Sequence, residues 1–447
     1  MSSFWANTLQ DTVKNSERIS RFPSRNRDAE SWLMQYLESA PTSTNQGSAE
    51  LPFQRWFRFK EAFSPKFVAD TLSSLPYPVN TCLDPFSGSG TTAITCRMLG
   101  IESLGVEVNP FLADLIKSKL VRVPIAEFCK NYELLISNLE VLPEDEALAA
   151  GMPVTFVEPG KNSRYIFNRE VYGVARAILR ASRSMDVDQS RLLRVLLGSV
   201  LVQNSNVVIN GKGRRYRRNW QLRSKTETDL IKSLDTAIDT AAADIARFSG
   251  LPESNFTLHQ GDARSALSLV MQADVAIFSP PYPNSFDYTD VYNVELWMLG
   301  YLESSVENRA LRSQTLRSHV QTKWVSTISK VRSDSLDLAV AALEARRGEL
   351  WNVNIPEMIR FYFDDLWSIF FELKRILKVG HHAIVAIGDS QYAGVHIDVA
   401  TILSECVEGL SFKLVQNEAM RSMRNSSQHG GSLSLSEHCL VFERVQG

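Results

Sequence analysis

Cysteine pairs, long apolar runs and a strong net charge are all missing from this chain of 447 residues. The five cysteines are odd in number and widely spaced, without the CxxC pairs that are typical of zinc or redox sites. This pattern argues against a disulfide framework and favours a reducing compartment. The histidines, including His381, His382 and His429, show no metal-ligand spacing, so the sequence predicts no metal site.

No apolar stretch approaches the ~18 residues that a membrane-spanning helix requires. The first residues, MSSFWANTLQDTVKNSERIS, lack the apolar core of a signal peptide. The net charge is only -2, which argues against a uniformly basic nucleic-acid coat but leaves room for local basic clusters. We therefore expect a soluble, cytoplasmic protein without membrane contact.

Residue patterns divide the chain into four segments. Residues 1–50 form a polar extension with some helical character. Short apolar runs alternate with helical patterns in 51–120 and again in 256–447, which predicts two parts of one α/β domain built on a parallel sheet. Between them, 121–255 has mostly helical patterns, and a second helical insert occupies about 302–350. Insertions of this length within an α/β core are usually functional, although a purely architectural role is the alternative.

The glycine-rich segment LDPFSGSGTT (83–92) stands at the junction of a predicted strand and a predicted helix. Gly88 and Gly90 permit a tight backbone turn, and the N-terminus of the helix offers unpaired N–H groups to an anion. The segment is neither a GxGxxG fingerprint nor a Walker loop, because no lysine follows the second glycine. A carboxylate, such as that of a methionine moiety, is a suitable anion for this site.

Two acidic residues follow at the ends of later predicted strands. Glu107 ends LGVEVNP, and Asp262 ends LHQGDA. A carboxylate in the first position can accept both hydroxyl groups of a ribose, and one on the next strand can accept an adenine amino group. Each residue alone is equally well explained as a turn residue at a strand end. Together with the glycine loop, the two acids indicate an adenosyl ligand.

The segment SPPY (Ser279 to Tyr282) follows the apolar run DVAIF and is predicted to lie at the carboxyl end of that strand. Proline has no N–H, so Pro280 and Pro281 present only carbonyl acceptors. Acceptors from Ser279 Oγ and the Pro280 carbonyl suit an exocyclic base amine, whose lone pair must turn out of the ring to attack a methyl group. Tyr282 would stack on a base rotated out of the duplex. In isolation, SPPY is also compatible with a rigid turn beside a core tyrosine.

These motifs resemble those of the DNA amino-methyltransferases, which read DPFxGSGT and (S/N/D)PPY. The resemblance implies a Rossmann-like α/β sheet with helices on both faces, S-adenosylmethionine as cofactor and double-stranded DNA as partner. By the same resemblance, Glu107 would hold the ribose, Asp262 the adenine, and Ser279, Pro280, Pro281 and Tyr282 the target base. The residues bordering the methionine part would be Asp84, Phe86, Gly88, Gly90 and Thr91. A weaker resemblance to the remaining cofactor segment covers RWFRFKEAFSPKFVADTL (55–72), which an ordinary amphipathic helix explains equally well.

Within this family the serine form resembles the cytosine-N4 branch, and we expect direct transfer to a flipped cytosine. Methylation of adenine N6 is the main alternative. Guanine-N2 methylation of RNA and a non-catalytic specificity subunit that binds nucleic acid also stay open. Methylation at cytosine C5 is set aside, because its nucleophile is a cysteine after a proline and none of the cysteines follows one. A separate restriction endonuclease or another defence-system component is a candidate partner.

The segment GKGRRYRRNWQLRSK (211–225) carries seven cations and no acid. It falls in 121–255, where we expect the target-recognition region. The family pattern would put that region after the GDA segment (261–263), whereas here it comes before it. We predict a basic loop that clamps DNA phosphates, with a solvated basic face as the alternative. The predicted DNA-binding residues are Lys212, Arg214, Arg215, Arg217 and Arg218.

Overall fold

The computed structural model describes residues 27–39, 48–210, 213–251, 255–322, 329, 331–423 and 435–447. Lys212 and His429, two residues considered in the sequence, lie outside this range. Among the described residues, no helix is both long and apolar enough to span a membrane.

The strands fall into one large sheet and two small hairpins. In chain order they are β1 (Thr81–Asp84), β2 (Glu102–Glu107), β3 (Val207–Asn210), β4 (Gly213–Tyr216), β5 (Phe256–Gln260), β6 (Ala273–Phe278), β7 (Leu377–Gly388), β8 (Ser390–Tyr392), β9 (Val395–Ile397), β10 (Phe412–Met423) and β11 (Leu435–Arg444).

The helices cover both faces of the large sheet and fill the insertions. In chain order they are α1 (Arg27–Ser39), α2 (Pro65–Ser74), α3 (Thr91–Leu99), α4 (Pro110–Leu120), α5 (Ile125–Ser137), α6 (Pro143–Glu146), α7 (Arg169–Ala181), α8 (Val187–Leu201), α9 (Glu227–Arg247), α10 (Ala263–Ala266), α11 (Tyr288–Val291), α12 (Asn293–Met298), α13 (Ser305–Gln314), α14 (Asp334–Ala345), α15 (Ile355–Ile376) and α16 (Val399–Glu408).

The large sheet has seven strands in the order β10-β11-β7-β6-β1-β2-β5. The five strands from β7 to β5 are parallel, and β11 runs antiparallel to both of its neighbours. The chain leaves β1 toward β2 and β5, then returns to the other side of β1 with β6. Ligands of such sheets bind outside the carboxyl ends of the strands where the strand order reverses, which is between β1 and β6 here. The predicted Rossmann-like α/β fold is confirmed.

The apolar core is divided between the two faces of this sheet. Neighbouring residues of one strand face opposite sides, so Cys82 and Val275 belong to one cluster while Leu83 and Ala276 belong to the other. All four side chains are fully buried. Strands covered on both faces have continuous apolar runs rather than alternating ones, which explains the run DVAIF in β6.

The long insertion between β2 and β5 contains helices α5 to α9 and the hairpin β3–β4. The basic segment was expected to be a loop, and that expectation is wrong for its first part. Gly213–Tyr216 forms β4, paired with Val207–Asn210 in the register Val207 to Tyr216. β3 is rich in β-branched residues, which favour strand structure, so it can pair with the extended backbone of Gly213–Tyr216. We call β3, β4 and the two residues that follow β4, Arg217 and Arg218, the basic hairpin. The second insertion, between β6 and α15, contains α11 to α14.

Candidate active site

The glycine-rich segment forms a tight turn between β1 and α3. The Ser87 amide donates to the Val106 carbonyl at 3.0 Å, and the Gly90 amide donates back to the Ser87 carbonyl at 2.7 Å. The Asp84 carboxylate accepts from the Phe86 amide at 3.0 Å and from Thr92 Oγ1 at 2.6 Å. Burial raises the pKa of Asp84 to about 6. Asp84 therefore shapes the turn from within and also lines the space beside it.

Both glycines of the turn adopt left-handed backbone conformations. Gly88 has φ +51°, and a Cβ there would lie 3.1 Å from the Phe59 ring. Gly90 has φ +83°, and a Cβ there would lie 2.9 Å from Ile116 Cγ1. L-residues with side chains rarely adopt such φ values, and a Cβ at either position would also crowd its neighbour. The sequence requirement for glycine is thus both conformational and steric.

Glu107 closes the turn from the neighbouring strand. Its carboxylate accepts from the Gly88 amide at 2.7 Å and from the Asn109 amide at 2.8 Å. Burial raises the pKa of this carboxyl from 4.5 to about 7, and the two backbone donors oppose the shift. A carboxylate oxygen has two lone pairs, so Glu107 keeps the capacity to accept from a ligand. It lies in the wall of the same space as Asp84.

A buried lysine, which no sequence motif indicates, supports the turn. Lys119, near the end of α4, is only 1% exposed and donates from Nζ to the Ser89 carbonyl at 2.7 Å. Burial lowers its pKa to about 7. A lysine in the last turn of a helix is ordinarily a surface residue, so no local pattern marks this one.

Asp262 follows β5 and already has a protein partner. Arg264 donates to it from Nη2 at 2.6 Å, and the same guanidinium also pairs with the buried Asp365 at 3.0 Å. Asp262 also caps α10 by accepting from the Arg264 amide at 2.9 Å. The residue lines the same space as Glu107. The predicted contact with an adenine amino group would therefore use lone pairs that Arg264 leaves available.

The SPPY segment leaves the carboxyl end of β6 and faces the glycine turn. The Tyr282 hydroxyl donates to Glu437 Oε1 at 2.5 Å, and Arg421 donates from Nε to Glu437 Oε2 at 2.5 Å. Glu437 itself is 3% exposed. Glu437 and Arg421 could not be predicted as partners of SPPY, because they come from β11 and β10, far from SPPY in the chain. No short motif marks either residue.

One cavity of about 480 Å³ joins these elements at the carboxyl edge of the sheet. Gly90 is not in the cavity wall. The stretch from Phe59 to Phe63 is in it, which places the weakly matching segment 55–72 beside the glycine turn. The predicted site residues that line the cavity are Asp84, Phe86, Gly88, Thr91, Glu107, Asp262, Ser279, Pro280, Pro281 and Tyr282.

The cations of the basic hairpin lie outside this cavity and differ in their surroundings. Arg214 lies 5.4 Å from the centre of the Phe156 ring, with Nη1 3.5 Å from Asn293 Oδ1. Arg217 donates to the carbonyls of Ser205 and Val202 at 3.0 and 2.8 Å. Arg214 is exposed despite these contacts, as are Arg215 and Arg218. The hairpin thus uses some of its arginines internally and presents others to solvent.

Among the residues that the structure covers, no group of three or more His, Cys, Asp or Glu side chains is arranged to hold a metal ion.

Comparison with known proteins agrees with these motifs. A family model described as a DNA methylase, of the N6 and N4 type, matches residues 5–118. The Type II methyltransferase M.BsoBI of Geobacillus stearothermophilus is 26% identical, over 89% of this chain and 87% of the relative. The Type II methyltransferase M.AvaI of Nostoc sp. is also 26% identical, over 87% of this chain and 85% of the relative.

Two further similarities are more limited. The Type II methyltransferase M.SmaI of Serratia marcescens is 44% identical, but over only 10% of this chain and 15% of the relative. Among solved structures, an rRNA methyltransferase from Streptomyces viridochromogenes aligns over 93% of this chain and 94% of its own, at 12% identity. The TM-score of that alignment is 0.27, so it carries no weight for fold or substrate.

Proposed function

Since the chain belongs to the DNA amino-methyltransferase family, we propose that it transfers a methyl group from S-adenosylmethionine to the N4 amine of cytosine in double-stranded DNA. The observation that carries this proposal is the shared cavity. The glycine turn, Glu107 and SPPY come from three different strands, yet all of them line it. A cofactor and a base bound there would meet without any covalent intermediate on the protein.

The residues present fit S-adenosylmethionine. Gly88 provides a position without a side chain, the start of α3 offers N–H groups to a carboxylate, and Glu107 offers a buried acceptor to ribose hydroxyls. Phe86 adds an apolar surface to the same wall. When bound, S-adenosylmethionine supplies an electrophilic methyl group on a sulfonium. Asp262 would orient the adenine amino group with the lone pairs that Arg264 leaves to it.

The SPPY segment would activate the base amine by accepting its protons. Ser279 Oγ and the Pro280 carbonyl oxygen are acceptors, and the prolines contribute no N–H that would compete. Two acceptors in these positions favour an amine whose lone pair points away from them. Positive charge develops on the amine nitrogen as the new bond to carbon forms, and the same oxygens stabilise that charge until a proton leaves.

Tyr282 would provide the stacking surface for the flipped base. Its hydroxyl is fixed by the buried Glu437, so the ring has a defined position rather than a free rotation. Aromatic rings stack on bases with little dependence on sequence. Recognition of the DNA sequence would therefore come from elsewhere, and we assign it to the insertion between β2 and β5. In that insertion the exposed Arg215 and Arg218 would contact phosphates.

The serine at position 279 favours cytosine N4 as the target, by the resemblance described above. The relatives that match most of this chain are named Type II methyltransferases, which supports a role as the modification enzyme of a restriction system. A separate endonuclease that reads the same DNA sequence would be its counterpart.

The experiment that tests the activity is transfer of tritium from labelled S-adenosylmethionine to mixed-sequence duplex DNA, with structured RNA as a parallel substrate. We expect label in the DNA, no label in the RNA, and loss of the DNA label in the double variant Ser279→Ala, Tyr282→Ala. Label in the RNA alone would overturn the proposal. Cofactor binding without label in either would show that the chain is not active by itself on these substrates.

A further inference from the structure

A charged pair, Arg421 and Glu437, lies at the carboxyl edge of the sheet and lines the cavity on the SPPY side. Arg421 is near the end of β10, and Glu437 is near the start of β11. Because these strands are antiparallel, the two positions meet at the same edge, directly opposite each other. Neither residue belongs to a motif of the sequence.

The ladder between β10 and β11 is irregular at this point. Ala419 pairs with His438 and Arg421 pairs with Glu437, so Met420 is an extra residue on β10. Such a β-bulge re-aims the side chains that follow it, and bulges are frequent next to active sites. If the ladder continued without the bulge, Met420 would stand opposite Glu437. The bulge therefore makes an arginine, rather than a methionine, the partner of this buried acid.

The geometry of the pair fixes the guanidinium in place. Arg421 donates to Glu437 from Nε at 2.5 Å and from Nη2 at 3.3 Å. The Glu437 side chain is 3% exposed, whereas the Arg421 side chain is 45% exposed. A buried carboxylate thus holds an accessible cation at the rim of the cavity. The same carboxylate accepts from the Tyr282 hydroxyl, so the cation and the ring share one anchor.

The donors that remain on Arg421 suit an anion with several oxygens. A guanidinium has five N–H donors, and Glu437 takes up two of them. The remaining three have no acceptor within hydrogen-bonding distance in the part of the chain that the structure describes. Guanidinium groups bind phosphate with parallel hydrogen bonds, and they carry their charge at any physiological pH.

We propose that Arg421 binds the backbone phosphate of the target nucleotide when its base enters the cavity, an inference that rests on the proposed function. A base can reach Tyr282 only if its own phosphate comes to the rim of the cavity, where Arg421 is accessible. The Ser279 and Pro280 acceptors already address the amine. The Arg421 contact therefore adds no sequence information, but it holds the nucleotide in the rotated position.

The test measures DNA affinity as a function of salt, with mixed-sequence duplex DNA and S-adenosylhomocysteine in excess. Each phosphate contact contributes about one unit to the slope of log K against log salt. We expect Arg421→Gln to weaken binding about tenfold at moderate salt and to reduce the slope by about one. Arg421→Lys keeps the charge, so it should keep most of the slope. An unchanged slope in Arg421→Gln would overturn the proposal.

Two controls separate the phosphate contact from simpler effects. Lys378→Gln removes one exposed positive charge from the start of β7, at the opposite edge of the sheet, and should leave the slope as in the wild type. Arg421→Gln leaves a buried carboxylate without its partner, so the double variant Arg421→Gln, Glu437→Gln removes that carboxylate as well. The double variant should keep the reduced slope. Recovery of the full slope would mean that Arg421 serves only to neutralise Glu437, and the proposal would be wrong.

The same samples distinguish this inference from the proposed function. Failure of the wild-type protein to methylate DNA would contradict the proposed activity. The binding slopes are measured without turnover, so they decide the Arg421 contact in either case.

Discussion

In the proposed mechanism, the side chain at position 279 acts through a single hydroxyl oxygen. Ser279 lines the cavity beside two prolines that offer only carbonyl oxygens, so its Oγ is the side-chain acceptor that we propose for the base amine. Hydrogen bonds to a group that becomes charged contribute about 1.5–3 kcal/mol.

Ser279→Ala is therefore expected to lower kcat roughly 10- to 100-fold while the affinity for S-adenosylmethionine stays unchanged. Single-turnover methylation and equilibrium cofactor binding measure the two quantities separately. Ser268→Ala, at an exposed position in the short 3₁₀ helix Leu267–Leu269, is the matched control and should behave as wild type. Equal kcat values for Ser279→Ala and wild type would remove this oxygen from the mechanism.

Glu107 makes the stability of the ligand-free protein depend on pH. Its folded-state pKa of about 7 lies above the ordinary 4.5, so the folded state favours the protonated form. The free energy of folding that this raised pKa contributes is fully present below about pH 4.5. It is lost as the pH rises through about 7, by roughly 3 kcal/mol in total. Wild type should therefore lose free energy of unfolding relative to Glu107→Gln between pH 5 and pH 8.

Denaturant unfolding of both proteins without cofactor, at several pH values, checks this dependence. Glutamine cannot titrate, so only the difference between the two curves matters, and any constant effect of the substitution cancels. Parallel curves across this range would show that Glu107 is not buried in a way that disfavours its charge.

At the residue scale, the sequence indicates those cavity residues that directly follow an apolar run in the chain. Asp84, Glu107 and SPPY line one cavity, and each can be recognised because it stands at the end of an apolar run, which is a local pattern. Lys119 and Glu437 cannot be recognised in this way, because their contacts depend on burial by distant parts of the chain. A lysine in a last helical turn and a glutamate at a strand start look like surface residues until the packing is known.

The glycine turn is the element on which the proposed cofactor site depends most. Gly90 combines a left-handed conformation with contact to Ile116, whereas Gly380 has a similar φ of +82° and nothing within 4 Å of its added Cβ. The two glycines therefore separate the conformational cost from the steric one.

Gly90→Ala should weaken S-adenosylmethionine binding at least tenfold and destabilise the fold by about 1–3 kcal/mol. Gly380→Ala should cost only about 1 kcal/mol of stability and leave cofactor binding unchanged. Calorimetric binding and thermal unfolding of both variants provide the comparison. Normal cofactor affinity in Gly90→Ala would show that the turn tolerates a side chain and that its glycine requirement is not functional.

At the element scale, the sequence predicted the parallel strands better than the antiparallel ones. Continuous apolar runs such as β6 mark strands that are covered on both faces. The basic segment has the dense charge that is typical of a loop. Its strand structure depends on pairing with β3, which its own residue pattern does not indicate. The position of β11 between β7 and β10 likewise follows from hydrogen-bond pairing, which residue patterns do not specify.

At the scale of the whole molecule, the second insertion contributes Leu311 and His319 to the cavity wall, and the first insertion contacts the second where Arg214 Nη1 lies 3.5 Å from Asn293 Oδ1. The basic hairpin belongs to the first of them. Its exposed Arg215 and Arg218 are available to phosphates, whereas Arg217 is engaged with backbone carbonyls. In the sequence these arginines are indistinguishable as candidates for phosphate contacts. Only the fold shows which of them already have partners within the protein.

Arg215→Gln, Arg218→Gln should reduce the salt slope of DNA binding by about two, because each lost phosphate contact removes about one unit. Filter binding across a salt series measures it. The charge-matched control Lys378→Gln, Lys413→Gln removes two exposed cations from the opposite edge of the sheet and should leave the slope unchanged. If both double variants lower the slope equally, overall charge rather than the hairpin controls DNA binding.

The identity of the methylated nucleoside tests the central claim most directly. Mixed-sequence duplex DNA treated with the protein and S-adenosylmethionine is digested to nucleosides and separated by mass spectrometry. We predict N4-methylcytosine, lost in the double variant Ser279→Ala, Tyr282→Ala. N6-methyladenine from the wild-type protein would contradict the assignment of the target base and show that a serine at this position does not exclude adenine.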